Sequence, residues 1–292
     1  MATNVCDALR EAERQLDQAH IKTPRNDALI LLSAASGHRI ETLLARPELQ
    51  VQTRHLCTYW EWIEQRAQNY PLQYLTGRQE FYGRSFVVSP SVLIPRPETE
   101  IVVQACLDFL TALERPGTVL DIGAGSGCIV LTLLCEIPHL TACAIDISGE
   151  VLRVVAENGR NLGCADRLEL LKGSTVDPLR DTDRKFDLVV SNPPYVALSE
   201  SVDPEVEYEP KRAVYAGQSG FEVYSEILGK AHSVLALSGQ LILEAGYGQA
   251  AKLATLGRES GWKEIEKRPD LAGIDRCVVF QRQGCAALTR YR

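Results

Sequence analysis

Thr118-Val119-Leu120-Asp121-Ile122 runs straight into Gly123-Ala124-Gly125-Ser126-Gly127 and then into the apolar stretch Cys128 to Cys135. The first run reads as a short buried strand and the last as a helix. The glycines between them allow a tight turn and close approach of backbone to a ligand, and the helix start offers free N–H groups. A strand, a Gly-rich turn and a helix make a nucleotide-type cofactor site in an α/β fold. The spacing is G-x-G-x-G, with Cys128 where a dinucleotide fingerprint has its last glycine. No G-x-x-x-x-G-K-[ST] phosphate loop occurs. A second strand, Leu140 to Ile145, ends in Asp146, a carboxylate able to accept from both hydroxyls of a ribose. A purely structural glycine turn is the competing reading.

Another apolar run, Phe186 to Val190, leads to Asn192-Pro193-Pro194-Tyr195. The C-terminal ends of strands are where open α/β sheets bind ligands. Pro193 forces Asn192 into an extended conformation, and each proline fixes its own φ. The Asn192 side-chain oxygen and the Pro193 carbonyl are then two convergent acceptors beside an aromatic ring. Such a site suits a planar NH2 group, either an amide or the amino group of a base. A turn that merely ends a strand is the alternative. The motif leaves the two readings level, and the glycine turn upstream favours the site. Asp121, the three glycines and Asp146, in this order and spacing, resemble the S-adenosylmethionine (SAM) site of Rossmann-like methyltransferases.

A chain of 292 residues can bury one main core and a smaller one. A net charge of -7 argues against broad nucleic-acid affinity, which needs clustered Lys and Arg. The nine cysteines include no C-x-x-C pair. Cys106, Cys128, Cys135, Cys143 and Cys277 lie in apolar runs, which predicts buried reduced thiols. The start has no apolar signal-peptide core and no run reaches membrane-spanning length, so the expectation is a cytoplasmic protein without membrane contact. His139 and His232 sit in or beside apolar stretches, without metal-ligand spacing, and read as structural.

The first part of the chain is helical. Val5, Ala8, Leu9, Ala12, Leu16 and Ala19 recur at helical spacing, Thr23-Pro24 looks like a cap and first helical residue, and Gly37 stops that helix. Leu56, Tyr59, Trp60, Ile63 and Ala67 mark a further helix, and no β pattern precedes about Gln79. Its role is scaffolding or the docking of a macromolecule. Glu80 to Val88 then alternates like a hairpin, and Leu93 to Glu100 is a rigid Pro-Arg-Pro entry to a helix reaching about Leu113. That entry forms either one wall of the cofactor site or a plain capping turn.

Pro71-to-Gly77, Leu93-to-Glu100, Asp121-to-Gly127, Asn192-to-Tyr195, Glu209-Pro210 and Asp270-to-Arg276 together resemble the release-factor glutamine methyltransferase family, PrmC or HemK. The Asn-Pro-Pro-Tyr motif alone is shared with adenine-N6 DNA methyltransferases; the Leu93-to-Glu100 and Asp270-to-Arg276 segments are far more selective. The resemblance implies an α/β, Rossmann-like class I methyltransferase domain with a mostly parallel sheet and an antiparallel edge. A helical bundle and a β-hairpin linker precede it. On this chain that gives residues 1–77 for substrate docking, 78–95 for the linker and 96–292 for the SAM domain. It implies methyl transfer from SAM, leaving S-adenosylhomocysteine, to the side-chain N5 of the glutamine in the Gly-Gly-Gln motif of peptide-chain release factors.

Carried over residue by residue, the resemblance places Gly123, Ala124, Gly125, Ser126, Gly127, Asp146, Thr175 and Asn192 on SAM. It gives Asn192, Pro193 and Tyr195 the catalytic work and lines the glutamine pocket with Asn192, Pro193, Pro194 and Tyr195. One departure stands out. After the third strand, Leu168 to Lys172, family members often carry an acidic and an aromatic residue; this chain has Ser174-Thr175. Thr175 cannot supply a stacking ring. Three alternatives remain: a ribosomal-protein glutamine methyltransferase, an adenine-N6 DNA methyltransferase, and a non-catalytic SAM-binding module that docks a translation factor.

Overall fold

The computed structural model describes residues 3–283, so Cys285 lies outside the described residues. The chain divides into two compact units. Met1–Arg78 with Val202–Tyr208 form one; Gln79–Ser201 with Glu209–Arg292 form the other.

The first unit holds β1 (Thr3–Asn4), α1 (Val5–Gln18), α2 (Pro24–Ser36), α3 (Ile40–Ala45), β2 (Gln50–Val51), α4 (Thr53–Ala67) and α5 (Leu72–Thr76). The Asn4 side chain accepts from the Asp7 N–H at 2.8 Å and starts α1. Val5, Ala8, Ala12 and Leu16 of α1 are buried, as the helical spacing predicts. Thr23 and Pro24 stand where the cap was expected, but the Thr23 hydroxyl donates to Asp27 at 2.7 Å and makes no side-chain cap. The strands β1 and β2, paired antiparallel, correct the expectation of no β structure before Gln79. Two-residue strands are too short to leave an alternation in the sequence. Leu16, Leu31, Leu32, Tyr59 and Ile63 fill the core. Val202–Tyr208 joins this unit through Glu205, which pairs with Arg66, and Tyr208, whose hydroxyl donates to the Gln68 carbonyl at 2.9 Å.

The second unit begins with the hairpin β3 (Arg78–Phe81) and β4 (Arg84–Val87). The sequence reading set this hairpin apart as a linker; it instead belongs to the larger unit almost entirely. The reason is Asn158, fully buried, which accepts from the Val87 N–H at 2.7 Å and donates to the Val87 carbonyl at 3.0 Å and the Ser126 carbonyl at 2.9 Å. One side-chain amide thus stitches β4 to the glycine turn.

There follow α6 (Glu100–Thr111), β5 (Thr118–Ile122), α7 (Cys128–Glu136), β6 (Thr141–Asp146), α8 (Gly149–Asn161), β7 (Leu168–Lys172), β8 (Phe186–Ser191), β9 (Val196–Ala197), α9 (Lys211–Val214), β10 (Tyr215–Gly217), α10 (Glu222–Lys230), β11 (Leu235–Glu244), α11 (Ala250–Glu259), β12 (Trp262–Pro269) and β13 (Asp275–Arg282). Seven strands form one sheet in the order β12-β13-β11-β8-β5-β6-β7. It is parallel from β11 to β7 and antiparallel at β13 and β12. One face packs on α10 and α11 through Ile122, Ile145, Val189, Leu243, Ile227 and Leu253. Helices α6, α7 and α8 contact the sheet as well. Chain order reverses between β5 and β8, which are neighbours although two strands separate them in sequence. Such a switch point leaves a crevice beyond the strands' C-terminal ends.

Of the cysteines in apolar runs, Cys106, Cys143 and Cys277 are buried free thiols, whereas Cys128 and Cys135 are free but only partly buried. His232 stacks on Trp262 at 3.8 Å between ring centroids and its Nε2 meets the Ser260 carbonyl at 3.1 Å, a structural position. The Asp270-to-Arg276 motif is the turn between β12 and β13: Asp270 accepts from the N–H groups of Ala272 and Ile274 and pairs with Arg276 at 3.0 Å.

Candidate active site

A cavity of about 350 Å³ opens at the switch point, lined by the ends of β5, β6 and β8. That volume is in the range of small-molecule sites. Gly123, Ala124, Gly125 and Ser126 line it together with Asp146, Thr175, Asn192, Pro193 and Pro194. A side chain on Gly123 would meet no atom within 4 Å, and one on Gly125 only a backbone oxygen at 4.0 Å. Both backbones therefore face open cavity, a cradle that any Cβ would start to fill. Gly127 does different work. It faces away from the cavity, where a Cβ would collide with Leu131 and Val155 at 2.9 and 3.0 Å. Its φ of 80° turns the chain into α7.

Asp146 accepts from the Ser148 N–H at 2.9 Å and, at 3.4 Å, from the Gly125 N–H. Burial raises its pKa despite these donors. The carboxylate is thus fixed against the glycine turn. Asp121 is a different case. It is buried at the end of β5, one oxygen has no partner, and burial pushes its pKa up to about 7.

Asn192 lies at the end of β8, and its Nδ2 donates to the Thr99 hydroxyl at 3.3 Å. Burial raises the pKa of the Glu244 carboxylate at the end of β11, and the neighbouring Thr99 hydroxyl lowers it. A hydroxyl has one proton. With that proton turned to Glu244, Thr99 keeps lone pairs for the Asn192 NH2, the orientation observed. This orientation leaves Oδ1 as the acceptor available to the cavity. The Pro-Arg-Pro entry is a wall of the same cavity, through Pro95, Arg96 and Thr99. It is pinned by Glu209, whose buried carboxylate pairs with Arg96 and accepts from the Ile94 N–H at 3.0 Å.

Tyr195 is the one residue of its motif that does not line the cavity. It packs against Gly246, where a Cβ would sit 2.8 Å from its ring, and its carbonyl accepts from Gln249 Nε2 at 2.8 Å. Burial raises its hydroxyl pKa to about 12. Thr99, Glu244 and Gln249 escaped the sequence reading. Glu244 had a legible signal, since an acid ends the apolar strand Leu235–Glu244 just as Asp121 and Asp146 end or interrupt theirs. Thr99 lay inside the Leu93-to-Glu100 segment, hidden between acids.

Burial also pushes the Glu244 pKa up to about 7, against the Thr99 hydrogen bond that lowers it. Unfolded, this carboxyl titrates near 4.5. Between those values the folded state holds more protons, so stability falls as pH rises through the window. The fall amounts to on the order of 3 kcal/mol, because each tenfold difference in proton affinity between the two states corresponds to about 1.4 kcal/mol. Glu244→Gln carries no titrating carboxyl and is expected to remove that fall. Urea unfolding of both proteins at pH 4.5 and pH 8 measures it; parallel pH dependences would overturn it.

Family models for a PrmC N-terminal domain and a Methyltransferase small domain match residues 7–77 and 100–207. The release factor glutamine methyltransferase of Moorella thermoacetica is 40% identical over 279 residues, covering 94% of this chain and 98% of that protein. That of Nitratidesulfovibrio vulgaris is 38% identical over 281 residues, 94% of each chain. Among solved structures, the hMettl16 catalytic domain aligns with a TM-score of 0.56 at 14% identity, over 81% of this chain and 84% of that one, a likeness of fold.

Proposed function

The chain belongs to the release factor glutamine methyltransferase family, and from that membership we propose that its cavity seats SAM on Gly123 to Ser126 and Asp146, and the target glutamine amide on Asn192 and Pro193. The enzyme is a SAM-dependent protein-glutamine methyltransferase acting on release factors. The observation that carries the site assignment is the oriented Asn192 amide, with its NH2 held by Thr99 and its oxygen left for the cavity.

The residues fit the cofactor. An open glycine cradle, a fixed carboxylate for the ribose hydroxyls and apolar walls suit a nucleoside without phosphates. SAM bound there supplies an electrophilic methyl group on sulfur. The protein's task is the other reactant. An amide nitrogen is a weak nucleophile because its lone pair is delocalised into the carbonyl. Asn192 Oδ1 and the Pro193 carbonyl accept its two hydrogens, raise its electron density and fix its plane. Positioning of this kind can lower a barrier by roughly 7–11 kcal/mol at best. Tyr195 supports the loop from behind through Gly246 and Gln249. The target is the glutamine of the release factors' Gly-Gly-Gln motif. A single side chain cannot distinguish one protein from many, so the first unit supplies remote docking surface.

Among the described residues no helix is long and apolar enough to cross a membrane. With a net charge of -7, duplex DNA is a poor partner. Incubation with labelled SAM and, in parallel, a release factor, ribosomal proteins and duplex DNA tests the assignment. Mass spectrometry should find one added methylene on the Gly-Gly-Gln peptide. Label on DNA adenine or a ribosomal-protein glutamine, with none on the release factor, would overturn it.

The cofactor half has its own expected result. Asp146→Ala should weaken SAM binding by roughly 1.5–3 kcal/mol, the scale of hydrogen bonds to a charged group. Gly125→Val should abolish it, because the side chain enters the cavity from a backbone at φ 56° that Val resists. Calorimetry giving wild-type affinity for both folded variants would remove these residues from the cofactor.

A further inference from the structure

The cavity is also walled by Ile147, next to Asp146 in the chain, by Thr175 and, on α10, by Val223, Glu226 and Ile227. Ile147, a large apolar side chain 58% exposed, borders the cavity. With Val223 and Ile227 it makes apolar surface suited to a flat ring. The one acid on this wall is Glu226, on α10 rather than on the loop after β7.

Glu226 is held in an uneven way. Its Oε1 accepts from the Thr175 hydroxyl at 3.1 Å and from Lys230 Nζ at 2.8 Å. These contacts fall on the same oxygen, which locks the carboxylate while its second oxygen stays available. Thr175 itself is buried with φ 46°, a left-handed conformation, so its hydroxyl is fixed in turn. Lys230 is held independently by Asp177 at 3.0 Å. The arrangement is a braced, acceptor-only group at the edge of an apolar slot.

We propose that Glu226, braced by Thr175 and Lys230, recognises the 6-amino group of the cofactor's adenine and so replaces the acid that the loop after β7 lacks. The inference rests on the cofactor reading above. A carboxylate accepts and never donates, and the exocyclic amino group is the donor on the adenine edge. Thr175 acts here as a positioning residue: it holds the acid, while Ile147 covers the ring that Thr175 cannot stack upon.

The test pairs a deletion on the protein with a deletion on the ligand. Calorimetry compares S-adenosylhomocysteine with its analogue carrying purine, without the 6-amino group, on wild type, Glu226→Ala and Glu226→Gln. Wild type should bind the deamino analogue roughly tenfold or more weakly, as expected for a hydrogen bond to a charged group. In Glu226→Ala that penalty should shrink below about threefold. Lys230 keeps Asp177 and Thr175 in this variant, so the wall retains its other contacts. Glu226→Gln keeps a carbonyl at the same reach and should give an intermediate penalty. An unchanged penalty in both variants, or none in wild type, overturns the role of Glu226 while leaving SAM binding intact. Failure of wild type to bind S-adenosylhomocysteine would overturn the cofactor reading and this inference with it.

Discussion

Asn192→Ala is expected to lower glutamine methylation by at least about a hundredfold while SAM affinity stays within a few-fold of wild type. The loss follows from positioning: a misplacement of about 1 Å at the reacting centre can cost 10²-fold. Removing Asn192 takes away one acceptor for the amide hydrogens and leaves the Thr99 hydroxyl without the NH2 it accepts. The glycine cradle follows β5 and Asp146 ends β6, and both are untouched, which is why binding should survive. Asn192→Asp separates acceptor from orientation. It keeps size and an oxygen for the cavity, but both its oxygens are acceptors, so it cannot donate to Thr99. Thr99 must then choose between two carboxylates, Glu244 and the new one. The Asp variant should bind the cofactor well and still turn over poorly. Single-turnover kinetics with calorimetry on the same samples resolves the two effects. An Asn192→Ala enzyme with the wild-type rate would falsify the proposed pocket.

The parts of this site legible in the sequence were those carried by consecutive residues. Asn192-Pro193-Pro194 restricts its own backbone, and Gly123 to Gly127 dictates its own turn, so spacing alone announced both. What the spacing could not show was direction. Gly127 and Tyr195 belong to their motifs by position, yet the first faces Leu131 and Val155 and the second packs on Gly246. The Thr99–Glu244 pair joins residues far apart in the chain, and only the β11–β8 pairing brings Glu244 beside Asn192's strand. The elements of the second unit that the sequence bounded, β5 to β8 with α6 and α7, fell close to their expected limits because apolar runs and glycines bound them. The division of the chain did not, because Asn158 claims the hairpin through contacts that no local pattern encodes.

Val202–Tyr208 is the least legible piece, a short polar stretch after the Asn-Pro-Pro-Tyr motif that folds with the helical unit. Its anchor predicts a large stability effect. Arg66 is buried on α4, its side chain 4% exposed, and it meets Asp27, also 4% exposed, at 2.7 Å. It also donates to the Tyr70 carbonyl at 3.2 Å and pairs with Glu205, which is 39% exposed. Arg66→Ala leaves Asp27 charged, buried and without its guanidinium. Breaking a buried pair from one side costs roughly 3–5 kcal/mol, mostly the penalty of the stranded charge. Glu205→Gln strands nothing, because Arg66 keeps Asp27 and the new amide can still accept; about 1 kcal/mol or less is expected for so exposed a partner. Removing the whole first unit would confuse matters by also taking every partner from 202–208, so the point variants are the cleaner probe. Urea unfolding followed by tryptophan fluorescence in a Trp262→Phe background, where Trp60 and Trp62 are the emitters, reports on α4 directly. The ordering is the decisive feature: if Glu205→Gln costs as much as Arg66→Ala, or if Arg66→Ala costs less than about 1 kcal/mol, the segment is held by something other than this buried pair.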